Sequence, residues 1–91
     1  MFTVWDEVKA ASNSSKHGVF FDEAASVFED YFALTYPDTE HALHEERFII
    51  LGVSSTDKIL IDINTQRIDT TRTISVPKAT SKERRFHEQQ F

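Results

Sequence analysis

The chain has 91 residues, a net charge of −5, eight phenylalanines and no cysteine. This length suits one small domain over residues 1–91, and the lack of cysteine excludes disulfides and thiolate metal sites. The negative net charge argues against broad, non-specific binding to nucleic acid. No apolar run reaches the roughly 20 residues that span a bilayer, and the acidic start is unlike a signal peptide. We therefore expect a cytoplasmic protein that does not contact membranes.

Charge is distributed unevenly along the sequence. Residues 1–46 carry a net charge of −8 and contain only two basic residues, Lys9 and Lys16, whereas residues 47–91 carry +3. The second half of the chain therefore offers a local basic surface to an anion, although the whole protein is acidic.

The first part of the chain predicts a short strand and a helix. Phe2–Trp5 is apolar enough for an edge strand or an extended lead-in. Asp6 is a favourable N-cap for a helix that extends to about Lys16, and Gly18 is a favourable residue to end it in the left-handed conformation.

A second helix and a strand should follow. Apolar residues recur at helical spacing over about Asp22–Asp30, and they form one stripe: Phe21, Ala24, Ala25 and Phe28. Phe32–Tyr36 is typical of a strand that ends at Pro37. Residues 38–46 are polar and charged, which predicts an exposed loop.

The second half of the chain predicts a three-stranded antiparallel meander followed by a helix. Phe48–Val53 and Ile59–Ile63 are β-branched runs joined by a polar turn, and Thr70–Val76 follows closely. Thr80 and Glu83 match a capping box, which predicts a C-terminal helix with Phe86 facing inward. The expected fold class is α+β, with a small, mainly antiparallel sheet, two N-terminal helices and one C-terminal helix.

Three arginines lie at or near the ends of the predicted strands. Arg47, Arg67 and Arg72 together suggest a surface that faces phosphate groups. Taken alone, these residues favour the simpler interpretation that exposed strand ends carry charge for solubility. A structural ion pair between Arg72 and either Asp62 or Asp69 is a further alternative.

Two histidines in the predicted loop have spacing that suits a metal only in a helix. His41 and His44 could bind a metal together if they lay on a helix, but the predicted loop between Pro37 and Arg47 and the lack of a third ligand argue against it. We therefore expect neither a metal site nor a cofactor.

An ordered set of short motifs runs through nearly the whole chain. They are W-D-E-x-K from Trp5, K-H-G-V-x-F-x-E-A-A from Lys16, V-F-x-D from Val27, L-T-x-P-D-x-x-H from Leu34, E-E-R-F from Glu45, T-x-R from Thr65, R-x-I-S from Arg72 and K-A-T-x-x-E-R from Lys78. This set resembles the BrnT family, the toxin half of a bacterial type II toxin–antitoxin pair. The resemblance implies a RelE-like fold and endoribonuclease activity. It also implies a partner antitoxin with a ribbon-helix-helix part, through which alone operator DNA would be contacted.

The resemblance also suggests which residues act on RNA. Metal-free cleavage needs a base for the ribose 2′-OH, cations for the charge that grows on the phosphate, and an acid for the leaving 5′-oxygen. Arg67 and Arg72 are the predicted phosphate binders, with Lys78 as a third cation and Glu46 as the base. His87 takes the position of the family's tyrosine and is the predicted acid. Arg47 joins Arg67 and Arg72 in binding RNA.

The sequence departs from the family pattern near this predicted site. Pro77 stands where the family usually has arginine, Gln66 where it has glutamate and Ile68 where it has glycine. The loss of one cation and one carboxylate favours an alternative function. In that alternative the protein is a toxin-like binding module that complexes its antitoxin and modulates repression of the operon.

Overall fold

The computed structural model describes residues 2–40 and 45–90, which form a five-stranded sheet with helices packed on it. In chain order the elements are β1 (Phe2–Trp5), α1 (Glu7–His17), α2 (Phe21–Ala25), a 3-10 turn (Ser26–Glu29), β2 (Leu34–Pro37), β3 (Phe48–Val53), β4 (Ile59–Gln66), β5 (Thr70–Ser75) and α3 (Ser81–Gln89). The α+β class expected from the sequence is confirmed. None of the described helices has the length and apolar character needed to cross a membrane.

The strand order is β1-β5-β4-β3-β2. Strands β3, β4 and β5 pair antiparallel, which confirms the predicted meander, and β2 adds antiparallel to β3. The expectation of a mainly antiparallel sheet was wrong, because β1 pairs parallel with β5 and makes the sheet mixed. Local sequence cannot reveal this pairing, since Phe2 lies opposite Thr70 and the two strands are distant in the chain.

Helix α1 begins and ends as its sequence predicts. The Asp6 carboxylate accepts hydrogen bonds from the amides of Val8 and Lys9, which have no partner inside the helix. Gly18 ends the helix with a φ of 67°, a conformation that glycine adopts without a Cβ penalty. These two residues fix the length of α1.

The second predicted helix is shorter than expected. Helix α2 ends at Ala25 and a 3-10 turn replaces its last part. The Ser26 hydroxyl donates to the Glu23 carbonyl and accepts the amide of Ser55, so it competes with regular helical bonding. The predicted apolar stripe also omitted Val27, which is fully buried.

Strand β2 begins two residues later than predicted. The Asp30 carboxylate accepts the amide of Phe32 at 3.0 Å and the amide of Val53 at 2.9 Å. It thereby holds Phe32 in a turn against the end of β3, and the extended backbone starts only at Leu34.

Apolar side chains are buried on both faces of the sheet. The side covered by α1 and α2, which we call the helix face, buries one cluster: Val19, Phe21, Ala24, Val27, Ile50, Leu60 and Val76. The opposite side, the back face, buries Leu51, Ile61 and Ala79 with partly buried isoleucines around them. Side chains alternate between the two faces along each strand, so the register assigns each residue to a face.

Gly52 allows the 3-10 turn to approach β3 closely. A Cβ built at Gly52 would lie 2.8 Å from the Val27 Cγ1 and 3.0 Å from the Ala33 Cβ. A larger residue at this position would push the turn away from the sheet.

Helix α3 starts with the predicted capping box, and its His87 lines a small cleft together with Val53 of β3. The Thr80 hydroxyl accepts the Glu83 amide, and the Glu83 carboxylate accepts the Thr80 amide. The expectation that Phe86 faces inward was wrong, since it is 49% exposed and His87 is buried. A step of one residue turns a helical side chain by about 100°, and packing against Val53 selected His87.

Candidate functional site

A row of polar side chains crosses the back face near the hairpin between β4 and β5. Thr65 on β4 lies directly opposite Arg72 on β5. Continuing the β3–β4 register by one residue places Arg47 opposite Thr65 from the other side. Residues directly opposite in a sheet share a face, so the row is Arg47–Thr65–Arg72, with about 10 Å between its two outer Cα atoms.

The row contains donors that the fold leaves unused. The Thr65 hydroxyl and the Arg47 Nε are buried, and neither has a hydrogen-bond partner among the described residues. Arg72 is exposed and forms no ion pair within residues 2–40 and 45–90. Buried polar groups are normally satisfied, so open donors in one row are typical of a binding surface for an anion with several oxygens.

A carboxyl group and an ion pair flank this row. The Asp38 amide donates to the Arg47 carbonyl, which places one largely buried carboxyl beside the row. Just after β4, a guanidinium nitrogen (Nη2) of Arg67 lies 3.3 Å from the Glu45 Oε2. The exposed Arg67 and Arg72 and the Glu45 carboxylate therefore lie at the same end of the sheet.

The carboxylate that reaches Arg67 belongs to Glu45, whereas the sequence pointed to Glu46. Glu46 is exposed and forms no ion pair with any residue in the described part of the chain. The two glutamates are adjacent in the sequence, and Glu46 as the base remains a prediction that this ion pair does not test.

The structure does not bring Lys78 and His87 to the arginines. Lys78 bridges to Leu60, five residues along β4 from Thr65, so its backbone lies about 17 Å from that of Arg72. His87 is buried and lines a small cleft with Phe32 and Val53, at the other end of β3 from Arg47. The five predicted catalytic residues therefore do not form one cluster.

Asp62 lies on the helix face and not beside Arg72. Its carboxylate is fully buried and accepts hydrogen bonds from the Thr73 hydroxyl at 3.1 Å and the Asn64 side-chain amide at 3.3 Å. Burial raises the pKa of Asp62 from 3.8 to about 7, while the hydrogen bonds from Thr73 and Asn64 act in the opposite direction. The alternative of an Arg72–Asp62 ion pair is thus excluded by the alternation of side chains.

Near α3, the pKa of one tyrosine is also shifted. Burial raises the pKa of Tyr36, and the negative charges of Glu83 and Asp38 raise it further. Tyr36, on the edge strand β2, therefore stays protonated at neutral pH.

Within residues 2–40 and 45–90, no group of three or more His, Asp or Glu side chains is placed to hold a metal ion. His41 and His44, the pair considered from the sequence, lie outside the described residues.

Thr65 is the residue of this row that sequence reasoning did not single out as functional. A threonine in a strand is ordinarily a favourable β-former, so nothing in its immediate sequence indicates an open hydroxyl. The only available signal was its place two residues before Arg67 in the T-x-R motif.

The family model described as "Ribonuclease toxin, BrnT, of type II toxin-antitoxin system" matches residues 5–83. The chain belongs to this family. No curated protein shows a significant sequence match to it.

A solved BrnT structure shares the fold. The crystal structure of the Brucella abortus ribonuclease toxin BrnT aligns with a TM-score of 0.68 and 22% sequence identity, covering 89% of this chain and 100% of that one. The resemblance to the BrnT family inferred from the motifs is therefore confirmed. At this identity the structural match supports the fold, and the family match carries the toxin–antitoxin and ribonuclease assignment.

Proposed function

We propose that this BrnT-family chain is an endoribonuclease that cleaves RNA without a metal ion, by attack of a ribose 2′-OH on the adjacent phosphate. The observation that carries the proposal is the Arg47–Thr65–Arg72 row. Two guanidinium groups and an open hydroxyl on one sheet face match the several oxygens of a phosphodiester. We further propose that the chain is RelE-like in the way it presents this sheet face to RNA.

The row stabilises the charge that develops as the 2′-oxygen attacks. Arg72 is held on a strand between two paired neighbours, so its Cα position is fixed before RNA binds. A rigidly held donor needs little reorganisation during the reaction and is worth more than a mobile one. Arg47 and Thr65 add donors to the other phosphate oxygens, and Arg67 binds the next phosphate at the rim.

We assign the base to Glu45 in place of Glu46. Arg67 holds the Glu45 carboxylate at the rim, close to where a phosphate on Arg67 would lie. Base catalysis contributes about 10²–10⁴-fold to a rate. Glu45→Gln should therefore lower cleavage more than Glu46→Gln; the reverse order would return the base to Glu46.

Neither His87 nor Lys78 is assigned a catalytic role. His87 lies about six residues along the sheet from the row and is buried against Val53. The residues that the fold collects at the row supply charge stabilisation and a base, so water is the proton source for the leaving 5′-oxygen in this proposal.

A cognate antitoxin with a ribbon-helix-helix part is the proposed inhibitor. The cationic row and the acidic N-terminal half present surfaces of opposite sign, which favours a partner that covers the row. Operator DNA would be contacted through the antitoxin only. If the two proteins of one operon elute separately at physiological salt, this part of the proposal fails.

The function is tested by inducing the chain with and without its neighbouring gene while following growth and RNA integrity. The purified protein is then incubated with RNA in EDTA. We expect growth arrest that the neighbouring gene relieves, and EDTA-resistant cleavage that leaves 2′,3′-cyclic phosphate ends. Cleavage that EDTA abolishes would refute the metal-free mechanism.

A second candidate function is a binding module with weak catalysis, and Pro77 favours it. The family usually has a cation at this position, next to Lys78 in the segment that leaves β5. In that case the wild-type chain binds its antitoxin and shapes repression without cutting RNA. Pro77→Arg would then produce cleavage that the parent lacks. Such a gain would show that the parent lacks only a cation and that the rest of the site is intact.

A further inference from the structure

The segment between β5 and α3 borders a cleft at the opposite end of the sheet from the arginine row. Its volume is about 440 Å³, and three cationic side chains line it: Lys58, Lys78 and Arg84. We call it the linker cleft. The volume lies within the range of pockets that hold small organic ligands, roughly 300–1,000 Å³.

Two of the three cations are not neutralised by the fold. Lys78 and Arg84 are exposed and form no ion pair with any residue of the described ranges. The Lys58 ammonium lies 3.9 Å from the Glu23 carboxylate, and Asp57 also lines the cleft. The cleft therefore keeps a positive charge in a chain whose net charge is −5.

The floor of the cleft is apolar. Val19, Ile59, Leu60 and Ala79 line the cleft. Val19 and Leu60 are each only 1% exposed, so the partly exposed Ile59 and the 7% exposed Ala79 supply most of the apolar surface that a ligand would contact. An apolar floor with a cationic rim suits a ligand that has a flat, weakly hydrated part joined to an anion. A nucleotide has this composition, with a base for the floor and a phosphate for the rim.

We propose that the linker cleft binds one nucleotide of an RNA strand, with the phosphate held by Lys78 and Arg84. This site is separate from the Arg47–Thr65–Arg72 row, which acts on the phosphodiester that is cleaved. The identity of the ligand as RNA rests on the proposed function. The charge and shape of the cleft are observed independently of that function.

A neighbouring cleft supports a polymer in preference to a single nucleotide. It has a volume of about 240 Å³ and is lined by Lys9, Lys16 and Ser75. These lysines are the only basic residues among residues 1–46. The two clefts adjoin at Asn13, which lines the smaller cleft and whose side-chain amide donates to the carbonyl of Val19, a residue that lines the linker cleft. Successive cationic clefts follow the repeating charge of a nucleic-acid backbone.

The test measures binding of a short 2′-O-methyl RNA oligonucleotide, which lacks the attacking 2′-OH and so is not cleaved. Lys78→Gln and Arg84→Gln should each weaken binding about 10-fold, the scale of one charge-assisted hydrogen bond. Arg85→Gln, on the next residue of α3, removes the same charge outside the cleft and should weaken binding less than about 2-fold. Lys78→Arg keeps the charge and should retain the affinity, which separates charge from packing.

Salt dependence gives a second readout. For single strands the slope of log K against log salt concentration falls by about 0.7 for each phosphate contact that is lost. Arg84→Gln should show this change and Arg85→Gln should not. Thermal unfolding of each variant confirms that the fold is kept.

Two results would overturn the proposal that the linker cleft binds RNA. In one, Arg84→Gln and Lys78→Gln bind the oligonucleotide as Arg85→Gln does. In the other, they lose affinity for the antitoxin while oligonucleotide binding is unchanged, which assigns the surface to a protein partner. The proposed function fails separately. If the wild-type chain binds the oligonucleotide through Lys78 and Arg84 but never cleaves RNA, the proposed ribonuclease activity is refuted and the proposed binding site is retained.

Discussion

The two faces of the β4–β5 hairpin carry buried polar residues that differ in which atom lacks a hydrogen-bond partner among the described residues. On the helix face it is an acceptor, the Asn64 Oδ1, and on the back face it is the Thr65 hydroxyl, which can donate. On the helix face, Asp62 is fully buried and bonded to Thr73 and Asn64. On the back face, the neighbouring Thr65 and Arg72 belong to a row whose donors include open ones. Consecutive residues of the same strands thus differ in surroundings. On the helix face they hold a buried carboxylate, and on the back face they leave a donor open, where we propose that phosphate binds.

The comparison is tested most strongly at Asp62. Its pKa is raised in the folded chain, so the proton bound by the folded state stabilises it below pH 3.8. That stability is lost as the pH rises towards and through about 7. A shift from 3.8 to about 7 corresponds to on the order of 4 kcal/mol. Asp62→Asn should therefore be more stable than the wild type at pH 8–9, and urea unfolding across pH 4–9 measures this.

Asp62→Asn should leave RNA cleavage at pH 7 nearly unchanged, because the side chain faces away from the row. A variant whose stability keeps the wild-type dependence on pH would show that another group causes it.

The next largest expected effect is that of Arg72→Ala, and it concerns activity and not stability. Arg72→Ala should lower RNA cleavage roughly 100-fold, the scale of losing one charge-stabilising donor. The free energy of unfolding should change by less than about 1 kcal/mol, because the guanidinium is exposed. Cleavage of a defined RNA and thermal unfolding are measured together, with Lys82→Ala on α3 as a matched loss of one positive charge.

A folded Arg72→Ala variant that cuts RNA as fast as the parent would assign Arg72 to solubility. This was the simpler interpretation of the rim arginines, and the two faces of the hairpin would then not differ in function.

Thr65→Val isolates the contribution of the back-face hydroxyl, since valine keeps the shape of threonine and replaces only the hydroxyl. An unsatisfied buried hydroxyl costs free energy, so the variant should be as stable as the wild type or more stable. RNA affinity should fall about 10-fold if the hydroxyl donates to phosphate. Thr73→Val on the helix face is the contrasting variant and should lose stability, because its hydroxyl bonds Asp62.

The smallest expected effect is that of Arg67→Ala. Arg67 is exposed and paired with the exposed Glu45, and such surface pairs contribute about 0–1 kcal/mol to stability. Cleavage should fall less than in Arg72→Ala, because Glu45 already offsets part of the charge. Equal losses in the two variants, measured on one RNA, would contradict this order and would mean that Arg67 contacts the reacting phosphate or positions the Glu45 carboxylate for catalysis.

Elements that depend on nearby residues could be predicted from the sequence alone. The Asp6 cap, Gly18 and the Thr80–Glu83 capping box set the ends of α1 and the start of α3, because each acts within a few residues. The β-branched runs determined the meander for the same reason. Motifs spread over nearly the whole chain also identified the family, which the match over residues 5–83 confirms.

Only the tertiary structure decided what depends on pairings between distant residues. The parallel partner of β1, the burial of His87 in place of Phe86, and the separation of Lys78 from Arg72 all follow from packing and register. Because side chains alternate between the two faces along β4, Asp62 lies on the helix face and Thr65 on the back face. The ion pair of Arg67 with Glu45 and not with Glu46 also depends on the tertiary structure. The two glutamates are adjacent in the sequence, and the backbone conformation sets the direction in which each side chain points.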